Sequence, residues 1–351
     1  MAGWRGIVRT LIVPALCAGL VACGHLGSGP GTGADTGTWP GAEARISGVS
    51  APELTDVPFF PQQTRRCGPA ALATVAYYAG VPVSLEQLNH QVFLPGKKGS
   101  LQYDLLGAAR RNNLIPYVID NSPEALLEQL ASGRPVVVLQ NLALDWLPRW
   151  HYAVVIGYLP DDGQFVLRSG RQQRKLTGTR RFLSTWEKSG GWAFVVLPPG
   201  EIPSDINKVR YLEAITNLEG AASPDTTVRA FTAAATRWPD DAWVLTGLGN
   251  ARFAAGDPDG AMTAFRQLLA LRPDHIAGRN NLAHLLSLRG CVSAARKEAE
   301  TALKLAGNDD PLHAVVRQTL AEINQAAEQQ GADRDCGTPE PDRAARSTTD
   351  Q

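Results

Sequence analysis

The chain has 351 residues, 44% of them apolar, with 34 basic and 34 acidic side chains and a formal net charge of +0. That length allows two domains, and the ordinary composition excludes wholesale disorder. Charge balance argues against a nucleic-acid binder working through bulk electrostatics. Five cysteines without a C-x-x-C pair set aside disulfide-scaffold, zinc-ribbon and thioredoxin readings.

In residues 1–22, Arg5 and Arg9 precede a short apolar run from Leu11 to Ala22, interrupted by Pro14 and Gly19. A bilayer span needs about 20 apolar residues, so the run fits a secretory signal. Leu20-Val21-Ala22-Cys23 resembles a bacterial lipobox. The resemblance implies cleavage before Cys23, lipidation of Cys23 and, with Gly24 in place of Asp, an outer-membrane anchor facing the periplasm. An ordinary signal peptide with an incidental cysteine is the alternative. Residues 23–45 are rich in Gly, Thr and Pro and read as a flexible tether.

Residues 46–200 mix helical and strand patterns. Cys67-Gly68-Pro69 opens a helix that runs through Ala70, Ala71, Leu72 and Ala73 to Gly80. Cys67 therefore sits at a helix N-terminus, where the dipole favours thiolate over thiol. Ser84, Ser100 and Ser122 read as caps of three further helices. Val136 to Gln140 reads as a buried strand. Trp150 to Tyr158 and Gln164 to Ser169 flank Pro160-Asp161-Asp162-Gly163 as a hairpin. His151 opens its first strand, a rigid place for a general base. Trp146 and Trp150 either wall a cleft near His151 or pack in the core. Six basic residues and no acid lie between Arg168 and Arg181. They either attract an acidic peptide or anionic lipid, or form a solvated edge, the simpler reading.

After a Pro-rich hinge, residues 204–330 turn helical. Gly256 and Gly290, Ala261 and Ala295, and Pro239 and Pro273 all recur at a spacing of 34. The run Leu248 to Asp274 resembles the tetratricopeptide consensus, with units starting near Lys208, Ala242 and Ile276 and a capping helix near 311–327. Such an array folds as a unit and serves either as a partner-binding groove or as a spacer. Residues 331–351 read as a disordered tail. Cys291 and Cys336 could pair in an oxidising compartment. His25, His90, His275, His284 and His313 show no metal-ligand spacing, and no metal or cofactor is implied.

Val57, Pro58 and Gln62, then Cys67-Gly68-Pro69-Ala70 and Leu72, then His151-Tyr152, Val154, Val155, Gly157 and Tyr158 form a pattern. It resembles the papain-like cysteine peptidases related to bacteriocin-leader peptidases, over about residues 54–198. The resemblance implies an α+β papain-like fold ahead of the all-α repeats. It also implies Cys67 as nucleophile, His151 as general base and Gln62 as oxyanion donor, with Gln63 a lesser alternative. Where the family carries Asp or Asn followed by Pro to orient the imidazole, this chain has Ser169 followed by Gly170. The function implied is an envelope-anchored cysteine peptidase acting on a peptide or protein, with a protein partner on the repeats. The membrane would be met through the lipid anchor only, and no nucleic acid is involved. The alternative is a non-catalytic peptide-binding adaptor. The relatives' double-glycine substrate is not carried over, because this chain reads as exported.

Overall fold

The computed structural model describes residue 39 and residues 41–62, 66–97, 99–203 and 205–330. The signal-like segment, Cys23, most of the tether, Gln63, and the 331–351 tail with Cys336 lie outside the described residues. No described helix is long and apolar enough to cross a membrane. The described chain divides into two compact units that part between Arg237 and Trp238.

The first unit is built on a six-stranded antiparallel sheet. Its strands are β1 (Ile115–Val118), β2 (Val136–Asn141), β3 (Trp150–Leu159), β4 (Gln164–Ser169), β5 (Gln172–Gly178) and β6 (Ala193–Leu197), in the order β1-β6-β2-β3-β4-β5. The edges follow the chemistry of the strands. Pro116 lacks an N–H and is tolerated in β1 because β1 is an edge. The polar run of β5 makes the other edge. β2 and β3 read apolar on both faces because both are covered.

The helices of this unit are α1 (Ala42–Ile46), α2 (Cys67–Tyr78), α3 (Leu85–Val92), α4 (Gln102–Arg111), α5 (Pro123–Ala131), α6 (Thr179–Glu187), α7 (Lys208–Thr216) and α8 (Pro224–Arg237). α2 is buried from Gly68 to Ala76, which its small residues permit. Its Ala71, Leu72 and Val75 share a core with Leu88, Leu105, Leu139, Tyr152, Val154 and Ile156. Ser84 and Ser122 cap α3 and α5, accepting from Gln87 N (3.0 Å) and Ala125 N (3.1 Å). Ser100 does not cap α4. The cap position is Leu101, whose N–H reaches Asp104 at 3.4 Å, and the buried Ser100 hydroxyl has no hydrogen-bond partner.

Polar contacts fasten the segment after β6 to the same unit. Arg134 pairs with Asp205, Arg210 pairs with Asp120, and Ser223 N donates to Asn113 Oδ1 (2.9 Å). The helices near Lys208 and Pro224 thus lie in the first unit.

The second unit stacks α9 (Ala242–Ala254), α10 (Pro258–Leu271), α11 (Ile276–Leu288), α12 (Val292–Ala306) and α13 (His313–Gln330). Consecutive pairs bury Leu245, Ala261, Phe265, Leu282, Ala295 and Ala299 in one core. Gly256 and Gly290 turn between helices at φ 82 and 77, conformations that favour glycine. A Cβ on Gly249 would stand 2.6 Å from the Phe265 ring, so glycine allows α9 and α10 to approach. Asp241 and Asp257 cap α9 and α10, and His275 caps α11 through Nδ1. Buried Cys291 is disulfide-bonded. The chain is therefore an α+β region of papain-like plan followed by helical repeats.

Candidate active site

The approach to the site begins with a strap over residues 51–62. Leu54 N donates to Ile156 O (2.8 Å) and Tyr158 N to Ala51 O (2.9 Å) along the second half of β3. Gly157 makes this closeness possible, since a Cβ there would meet the Glu53 backbone at 2.8 Å. Buried Arg168 on β4 donates to Val57 O through Nε and Nη2 (3.0 and 2.8 Å) and to Thr55 O (3.1 Å). Val57 itself is in the core. Fixing Val57 sets where the chain arrives five residues later.

It arrives at Gln62. Gln62 N donates to Gly170 O (2.9 Å). Gly170 N donates to Gln62 Oε1 (3.0 Å), and Gln62 Nε2 donates to Tyr152 O (3.2 Å). The side-chain amide is thus clamped between the start of β3 and the turn after β4. An NH2 group has two hydrogens, and only one is used in this clamp.

Cys67 stands at the first position of α2, half-buried, with Arg66 as N-cap. The backbone N–H dipoles of Tyr152, Gly68 and Cys67 itself act on its sulfur. These dipoles favour thiolate, yet burial outweighs them and pushes the thiol above its ordinary range. The expected thiolate bias at the helix N-terminus is therefore overridden. A buried sulfur loses hydration that three N–H groups do not replace.

His151 and Ser169 meet across β3 and β4, with Nε2 2.9 Å from the Ser169 hydroxyl. Bound there, Nε2 leaves Nδ1 as the nitrogen open to other chemistry. Burial first, and then the charges of Lys175 and Arg149, lower the imidazole from 6.5 to about 4. The resting site therefore holds a neutral thiol and a neutral imidazole.

The fold gathers Gln62, Cys67, His151 and Ser169 around two short runs, 151–152 and 169–170. Sequence reading missed the backbone groups that make this junction: the Tyr152 N–H and C=O and the Gly170 N–H. Nothing in a side-chain pattern marks them. It also missed Arg168 as the post under the strap, since an arginine in a basic run reads as a surface charge. Trp146 and Trp150 are 79% and 50% exposed, so the core-packing alternative fails for both. Cys23 and Cys336 lie outside the described residues.

Residues 54–194 match the Peptidase_C39 like family, and residues 252–319 match the tetratricopeptide repeat. No curated protein matches the chain. Solved structures similar to parts of it include the following three. One is the peptidase domain of Streptococcus ComA, a bi-functional ABC transporter involved in quorum sensing. It shares 26% identity over 40% of this chain and 98% of its own, with a TM-score of 0.34. A double glycine motif protease from an AMS/PCAT transporter, in complex with the leader peptide, shares 21% identity over 41% of this chain and 93% of its own, at 0.33. The Yersinia enterocolitica type III secretion translocator chaperone SycD shares 17% identity over 38% of this chain and 90% of its own, at 0.34.

Proposed function

From a chain that joins a C39-like peptidase region to tetratricopeptide repeats, we propose a cysteine peptidase that hydrolyses a peptide or protein substrate. The observation that carries this reading is the shared junction. The Tyr152 backbone, next to His151, accepts from the amide of Gln62 and acts electrostatically on the sulfur of Cys67, and that imidazole is anchored by Ser169.

In this mechanism His151 Nδ1 takes the thiol proton as the sulfur attacks the substrate carbonyl carbon. The carbonyl π pair moves to oxygen. The spare Gln62 N–H and the Cys67 backbone N–H receive that oxyanion. The tetrahedral centre collapses, and the imidazolium hands its proton to the departing amine. Water, deprotonated by the same imidazole, then releases the acid and restores the thiol. Because thiol and imidazole both rest uncharged, proton transfer accompanies attack instead of preceding it.

The repeats supply a surface for a protein partner in this reading. The lipobox-like run ending at Cys23 supports attachment to the cell envelope, with the activity on the periplasmic side of the outer membrane.

A non-catalytic peptide-binding adaptor is the second reading. The uncharged site favours it: a thiol pushed up, an imidazole pushed down, and a hydroxyl where the resemblance calls for a carboxylate or amide. Sequencing protein termini across the envelope of cells carrying the native chain or Cys67→Ser separates the two. New termini with the native chain alone support the peptidase. Identical sets of termini support the adaptor.

A further inference from the structure

The fold sorts the basic run between Arg168 and Arg181. Arg168 is buried beneath the strap. Arg174 pairs with Glu53 and Arg180 with Glu43. Lys175 and Arg181 have no ion pair among the described residues, and neither does Arg149, which comes from outside the run.

These three cations converge from three elements. Arg149 immediately precedes β3, two residues before His151. Lys175 on β5 pairs with Leu167, two residues before Ser169 on the same strand. Arg181 lies on α6 one turn before Thr185, whose hydroxyl accepts from Gln140 (2.7 Å), the cross-strand partner of His151. Lys175 feels the charges of Arg181 and Arg149, and His151 those of Lys175 and Arg149. Asp145, in the β2–β3 loop, is engaged by Lys188 at 3.3 Å.

A solvated edge does not account for this grouping. Arg149 and Arg181 stand out in water as edge charges do, but Lys175 is half-buried and feels both of them. Holding a half-buried ammonium beside two like charges is unfavourable until an anion arrives.

We propose that Arg149, Lys175 and Arg181 form an anion subsite beside His151 that takes an Asp or Glu side chain of the substrate, next to the bond to be cut. The inference rests on the peptidase reading and names the class of peptide it acts on. A carboxylate there also offsets the positive field that opposes charging of His151, so an acidic substrate helps the base that processes it.

The test digests a random hexapeptide library with the full chain and sequences the products by mass spectrometry. Asp and Glu should be enriched about tenfold over Asn and Gln at one fixed subsite. Lys175→Glu should abolish that preference and draw in Lys or Arg. Exposed Arg181→Glu should weaken it in the same direction. Cutting without acidic preference overturns the inference and leaves the peptidase intact. If nothing is cut, the peptidase reading fails, and binding to the Cys67→Ala chain decides the subsite, followed by tryptophan fluorescence. Hexaglutamate binding about tenfold tighter than hexaglutamine, lost in Cys67→Ala with Lys175→Glu, supports it. Equal binding overturns it.

Discussion

Ser169 holds His151 at 2.9 Å, hydroxyl to Nε2, from the end of the neighbouring strand. The hydroxyl orients the ring but brings no charge to an imidazolium. Ser169→Ala leaves a buried ring nitrogen without its partner, a loss of about 1.4 kcal/mol or tenfold in kcat/KM. Ser169→Asn, which can still accept from the ring, should recover most of it. Comparing kcat/KM of the two variants on one fluorogenic peptide checks this. Equal losses would mean that Ser169 only fills space.

Cys67 tests how far burial governs the proposed nucleophile. Burial raises its thiol above the ordinary range, so thiolate accumulates only at alkaline pH. Iodoacetamide alkylation, followed on the Cys67 peptide by mass spectrometry, should keep accelerating beyond pH 9. A plateau below pH 8 would reveal a preformed thiolate–imidazolium pair and overturn the neutral resting state.

The pattern around Cys67 and His151 was legible because side chains carry it. Small residues after Cys67 announced a buried helix, and Pro160 to Gly163 announced the hairpin. Ser169 was reached by counting along β4. What stayed hidden was energetic or made of backbone. Desolvation of Cys67 depends on what packs around it, and the helix terminus alone gave the opposite sign. β1 was hidden by Pro116, which a central strand would exclude but an edge accepts. Ser100 looked like a cap because its spacing suited one, but its hydroxyl is turned against Gly68 instead.

His151 predicts an acid limit to stability. Its folded value of about 4 lies below the 6.5 of an exposed imidazole. Between those two values the unfolded chain binds a proton that the folded one refuses. Stability from this group is full above pH 6.5 and is lost as pH falls toward 4, by roughly 3 kcal/mol in all. Urea unfolding of the native chain and of His151→Gln across pH 7 to 4 isolates the effect, since carboxylates titrate alike in both. The native chain should lose more stability than the variant over that interval. Parallel curves would place the ring in water.

Gln62 joins structure to chemistry. Its Oε1 accepts from Gly170 N and its Nε2 donates to Tyr152 O, so Gln62→Ala strips both backbone groups of their partners. That costs on the order of 2 kcal/mol of stability. The same change removes the proposed oxyanion donor, for which a fall of about 10²–10³ in kcat is expected with KM little altered. The two effects have separate readouts. Hydrogen exchange at the Gly170 amide should quicken whether or not the protein is an enzyme, because that N–H points at Gln62 in the resting fold. The kcat loss should appear only if the spare N–H faces a developing oxyanion. Faster exchange with unchanged kcat would leave Gln62 as a clamp between β3 and the turn after β4, and the oxyanion would need another donor.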